Sequence, residues 1–214
     1  METETEKEKE KGSTLEMDYE IEVRDKNGKL LELQRGKSHT WVRAFIRFMA
    51  ELFANTRIGD RTFTMLDTSG TSRTVWAGSG NTSQYHVAFG AKAAATASYY
   101  GIQVGSSDAP YSRDQYCLQA LIGHGTGAGQ LLYGDTTVEG VTLEDSTERF
   151  RIVRSFTNSS GSSVTVKEIG LTVFNQYGST TYYYLFARDV LPSPISVPDG
   201  ASLTVRYRIF VSYA

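Results

Sequence analysis

In "MDYEIEVRDKNGKLLELQ" (17–34), apolar and charged residues alternate from Met17 to Arg24, placing Met17, Tyr19, Ile21 and Val23 on one face. That period of two predicts a strand with one buried side. Asn27-Gly28 supplies a two-residue hairpin turn, since both residues accept positive φ, and "KLLELQ" (29–34) is the return strand. The same alternation closes the chain in "SLTVRYRIFVSYA" (202–214), with Leu203, Val205, Tyr207, Ile209, Val211 and Tyr213 on one face. Between these ends, "YYGIQVG" (99–105), "ALIGHG" (120–125), "QLLYG" (130–134), "ERFRIVRSFTN" (148–158) and "SVTVKEIGLTVFN" (163–175) read as strands. "TYYYLFARDVL" (181–191) is another, closed by "PSP" (192–194). Strands broken by turns this often predict an antiparallel β-sandwich, jelly-roll-like in outline.

One segment changes period. In "SHTWVRAFIRFMAELFAN" (38–55), Trp41, Phe45, Phe48 and Leu52 form a stripe with Val42, Ile46, Met49 and Phe53 beside it. Arg43, Arg47 and Glu51 line the opposite face. This predicts an amphipathic helix over 39–55, N-capped by Ser38 and packed on the sandwich. Residues 56–98 follow as a long excursion rich in Ser, Thr, Gly and Ala, where "QYHVAFG" (84–90) is the clearest candidate strand. Excursions of that length are usually functional or ordered by a partner. Residues 1–14 alternate Glu with Thr or Lys and offer no apolar face, which predicts an extended charged arm. The domain itself then spans 15–214.

Composition narrows the function classes. Net charge is −2, with Lys and Arg dispersed, so no basic face for nucleic acid is expected. No apolar run approaches the ~18 residues of a membrane span. Met1 leads into "ETETEKEKEKG" instead of an apolar stretch, so the expectation is synthesis and assembly in the cytoplasm. A single cysteine, Cys117, forbids an internal disulfide.

"GHGTGAG" (123–129) invites two catalytic readings, and neither fits. A subtilisin-like triad needs the order Asp, His, Ser, whereas Gly70-Thr71-Ser72 precedes His124. Gly125, Gly127 and Gly129 also oppose the helix such an enzyme starts near its histidine. As a dinucleotide loop the glycines lack a following amphipathic helix. Gly36-Lys37-Ser38 resembles a phosphate loop, but Leu31 stands where its first glycine belongs. His39, His86 and His124 match no metal motif, and the acids Asp135, Glu139, Glu144, Asp145 and Glu148 lack calcium-loop spacing. No catalytic residue, cofactor or metal site is expected, and the glycines are read as a tight connection between strands.

Three segments carry a resemblance: "GIQVGSSDAPYSRDQYCLQALIGHG" (101–125), "RSFTNSSGSSVTVKEIGLTVF" (154–174) and "LFARDVLPSPISVPDGASLTVRYRIFVSYA" (185–214), with a fainter echo in "GKSHTWVRAFIRFMAELF" (36–53). In overall pattern they resemble a type of virion protein encoded by tailed bacterial and archaeal viruses. The resemblance implies a β-rich, non-enzymatic component of a head, tail or decoration layer, located in the virion. Its partners would be copies of itself and other virion proteins, and it brings no active-site residues. Glu4, Glu6, Lys7, Lys9, Trp76, Tyr85 and His124 are the expected subunit-interface residues. The alternative is a module binding a glycan or host receptor, with Trp76, Tyr85, Tyr99, Tyr100 and Tyr111 stacking on sugar rings.

Overall fold

The computed structural model describes residues 14–38, 41–54, 64–75, 87–177 and 179–212. In chain order they form β1 (Thr14–Arg24), β2 (Leu30–Ser38), α1 (Arg43–Ala54), β3 (Thr64–Leu66), β4 (Ser72–Thr74), β5 (Val87–Gly90) and β6 (Gly101–Gly105). Then come β7 (Leu132–Val138), β8 (Thr142–Glu144), β9 (Thr147–Thr157), β10 (Val164–Tyr177), β11 (Thr180–Val197) and β12 (Ser202–Ser212). The chain is mainly β, with three antiparallel sheets and one short helix among the described residues.

The largest sheet runs β2-β1-β12-β9-β7, with β8 also on β9. Its inward face is the alternation of the sequence: Met17, Tyr19, Ile21 and Val23 are buried, as are Leu203, Val205, Tyr207 and Ile209. The second sheet runs β11-β10, and β5 and β6 follow one another along the far side of β10. Both sheets feed one core, in which Ile21, Val205 and Phe156 from the first meet Ile102, Ile169 and Ile195 from the second. β3 and β4 form a separate hairpin.

Several expected boundaries move. The arm ends earlier than residue 14, because Thr14 already pairs with Ser212. The hairpin after β1 does not turn on Asn27-Gly28 alone. Gly28 N donates to Asp25 O at 3.0 Å, Asp25 Oδ1 accepts from the Asn27 and Lys29 amides, and only Gly28 has positive φ (82°). The extra loop residue is absorbed by a bulge beside Val23 and Arg24. Gly36-Lys37-Ser38 is strand, not loop. Tyr19 lies across Gly36, and a Cβ there would meet its ring at 2.5 Å. The prolines of "PSP" do not end β11. Val166 pairs with Ile195 and Glu168 with Val190, so Leu191–Pro194 bulge out opposite Lys167. β11 is an edge strand, where a residue without an N–H is tolerated. "ALIGHG" contributes only isolated bridges, Gly105 to Leu121 and His124 to Leu131. The excursion holds β3, β4 and β5, while 55–63 and 76–86 lie outside the described residues.

The helix starts later than expected. Ser38 does not cap it: its buried hydroxyl donates to Asp189 Oδ2 at 2.8 Å. Trp41 makes a β-bridge to Ala187, Val42 N donates to Phe186 O, and only then does α1 begin. Phe48 is buried against Phe186, and Phe45 stacks on Trp41 with centroids 3.8 Å apart. Ile46, expected beside the stripe, is 64% exposed, and the side chains of Leu52 and Phe53 lie outside those described. Phe48→Ala should cost ~3–5 kcal/mol. Arg43→Ala removes only a surface pair with Asp114 and should cost under ~1 kcal/mol. Urea unfolding of the two variants checks this, and equal midpoints would contradict the packing.

Candidate assembly surface

The glycine loop folds back on itself. Gln130 Oε1 accepts from Gly127 N at 2.9 Å, and a Cβ on Gly125 (φ 155°) would meet that oxygen. His124 is half-buried at the loop's root, where its Nδ1 accepts from Tyr133 N at 3.0 Å. Its imidazole therefore carries its proton on Nε2 and fastens the loop to β7. Gly70-Thr71-Ser72 belongs to the β3–β4 turn, where Asp67 Oδ1 accepts from the Ser69 and Thr71 amides and Oδ2 from Arg73. Those bonds outweigh the burial of Asp67 and hold its carboxyl below the usual range.

Three buried polar locks tie loops to sheets. Arg154 on β9 is fully buried and donates to five carbonyls, those of Ala94, Ala97, Tyr100, Ile102 and Gly134, at 2.7–3.1 Å. Its guanidinium also lies 4.6 Å from the Tyr133 ring centroid. Burial pulls its pKa down to about 10, so it remains charged at neutral pH. Glu168 and Arg188 form an ion pair with both side chains fully buried. Glu168 also accepts from the Gln119 and Ala120 amides, and Arg188 donates to Ala109 O, Pro110 O and Gln115, which pins the 106–121 segment. Asp189 accepts from Ser38 and from Tyr207, linking the sheets. The sequence pattern marks none of Arg154, Glu168, Arg188 and Asp189 as a lock. Arg154 had a signal: it shares the inward parity of Phe150, Ile152 and Phe156.

The surface has two notable regions. Tyr99, 51% exposed, packs on Tyr183 (centroids 4.9 Å) and Tyr100 (5.3 Å), beside a depression of ≈ 200 Å³ lined with Thr68, Gln103, Cys117, Leu118 and Leu121. Burial, then the nearby Glu168 carboxylate, pushes the Cys117 thiol up, which disfavours its thiolate. The other region is the outer face of the large sheet, which is striped by charge. Arg206 and Arg208 on β12 bond the acids of β1, with Arg206 3.1 Å from Glu20 and Arg208 2.6 Å from Asp18. On the far side of β1, Arg35 and Lys37 of β2 reach Glu20 and Glu16. Among the described residues nothing pairs with the outer edge of β2, and Leu30, Leu31 and Leu33 are exposed there.

Comparison with known protein families, curated proteins and solved structures finds no match.

Of the expected interface residues, Glu4, Glu6, Lys7, Lys9, Trp76 and Tyr85 lie outside the described residues, as do His39 and His86. His124 is engaged inward at Nδ1. Tyr99 and Tyr100 come together, whereas Tyr111 donates its hydroxyl to Trp41 O. No cluster able to hold a metal ion occurs among the described residues.

Proposed function

We propose that the chain is a non-enzymatic structural subunit of a virus particle, in which the two larger sheets form a jelly-roll-like sandwich that tiles with copies of itself. It would act in a head, tail or decoration layer and assemble in the host cytoplasm, with other virion proteins as neighbours. One observation carries this reading: the buried ionisable groups Arg154, Glu168, Arg188 and Asp189 are all engaged in fastening the chain to itself. Such an interior suits a rigid brick, and the unpaired edge of β2 offers a place for contact. Electron microscopy of purified protein over a concentration series is the test. Rings, tubes or shells are expected, and a monodisperse monomer at every concentration would overturn the reading.

The exposed Tyr99 ring beside its depression supports a second reading, a glycan- or receptor-binding module. Glycan-array binding lost in Tyr99→Ala would favour it.

A further inference from the structure

Among the described residues only β1 pairs with β2, which leaves the outer edge of β2 open from Leu30 to Lys37. It carries no proline, and three exposed leucines stand at its hairpin end. Folded proteins rarely leave such an edge bare, because its free N–H and C=O groups are a template for another strand.

The charges beside it indicate which strand. Across the outer face the columns run basic on β12 (Arg206, Arg208), acidic on β1 (Asp18, Glu20) and basic on β2 (Arg35, Lys37). Arg206 and Arg208, flanked on β9 by Val153 and Arg151, have side chains 27% and 31% exposed, whereas Arg35 and Lys37 at the edge of the sheet are 61% and 68% exposed. Arg35 and Lys37 have acids of β1 on one side and the open edge on the other, so an acidic strand is the charge-complementary occupant of that edge. The sequence contains one. Glutamates occupy positions 2, 4, 6, 8 and 10, with Thr3, Thr5, Lys7 and Lys9 between them. In a strand all five glutamates fall on one face and the lysines on the other. Laid on β2, the glutamate face meets Arg35 and Lys37, and the lysine face meets the half-buried Glu32.

We propose that residues 2–10 of one copy add as a strand to the outer edge of β2 in a second copy. The donor is a second copy because β1 begins beyond Met17, the residue opposite Ser38. A chain that keeps the direction of β1 before Thr14 would leave past the end of its own β2, toward a neighbouring copy. Residues 11–13 are left to bridge the two copies, about 10 Å when extended, so the acceptor edge must lie close to the start of the donor's β1. This deepens the self-association in the proposed function by naming its contact, and it rests on that self-association.

Two half-competent chains test it. One keeps the arm and carries Arg35→Glu/Lys37→Glu. The other begins at Thr14 and keeps the native edge. Each alone should sediment as a monomer, and their mixture should form a one-to-one complex that weakens about tenfold between low and high salt. Adding Glu4→Lys/Glu6→Lys/Glu8→Lys to the reversed-edge chain should restore its self-association. On the native edge the arm triple should abolish association while the circular dichroism spectrum stays that of the folded monomer. Self-association of the chain beginning at Thr14 overturns the proposal in favour of direct β2–β2 pairing or another face. So does failure of the mixture to associate, or a full-length chain that stays monomeric. Arm exchange without particles would sink only the virion reading, and particles built by the truncated chain would sink only this contact.

Discussion

Arg154→Met should destabilise the protein by ~3–5 kcal/mol, the loss typical of breaking a buried charged hub. Methionine fills similar volume but donates nothing, so five carbonyls now bonded by the guanidinium lose their donor inside the protein. Each buried carbonyl left without a partner costs ~1–3 kcal/mol unless water reaches it. The cost is partly local, because four of the five acceptors lie between Ala94 and Ile102. Amides of that segment should exchange with solvent markedly faster than those of β12. Arg154→Lys restores the charge with at most three donors and should fall between wild type and Met. Arg151→Met, three residues away on the outer face and paired with Glu139, should stay within ~0.5 kcal/mol. Chemical denaturation of the three variants gives the comparison. If Arg154→Met matched Arg151→Met, the cage would contribute nothing.

A steep loss of stability above pH 10 is the second large effect. Tyr133, Tyr184 and Tyr207 are buried, and burial is the leading cause that raises all three hydroxyls above the ordinary 10.0. Asp189, which accepts from Tyr207, raises that group further. The sign follows from the protonated form. In the unfolded chain these tyrosines ionise near pH 10, while in the native state they keep their protons. Their contribution is therefore fully present below pH 10 and lost as pH rises toward the native values. Each retained proton is worth about 1.4 kcal/mol per pH unit, and the lowered Arg154 offsets about one of the three above pH 10, so the net slope is roughly 3 kcal/mol per unit. Urea unfolding followed against pH, with tyrosinate absorbance reporting ionisation, reads this slope. Tyr207→Phe should make it shallower. Stability that stays level above pH 10 would mean that the rings are reached by solvent before unfolding.

The parts of the fold legible in sequence were those where one strand face is wet. β1 and β12 announce themselves because their outer residues are charged and their inner ones apolar. β10 and β11 are buried over long stretches, and there parity carries less information; Arg188 and Asp189 lie unremarked in a run of buried residues. Ser38 carried the local signature of a helix cap, but a buried carboxylate 151 positions away claimed its hydroxyl. Tertiary hydrogen bonds of that kind have no local trace. Pro192 and Pro194 read as a strand end because the bulge that accommodates them depends on the partner strand. The candidate contact was half legible. The glutamate alternation is plain in the sequence, but the basic column it complements appears only once β2 is placed beside β1.

The place of β12 has a consequence for how the chain comes off the ribosome. It follows every other strand in sequence, yet it lies in the middle of the large sheet, between β1 and β9. Until residues 202–212 emerge, the β1–β2 hairpin and the β9–β7 pair cannot join, and each exposes a long unpaired flank. The contact of β1 with β12 closes a loop over nearly the whole chain, the slowest kind to form. A nascent chain stalled near residue 200 thus presents two sticky edges at once, so the codons for residues 202–212 separate an aggregation-prone intermediate from a finished sheet.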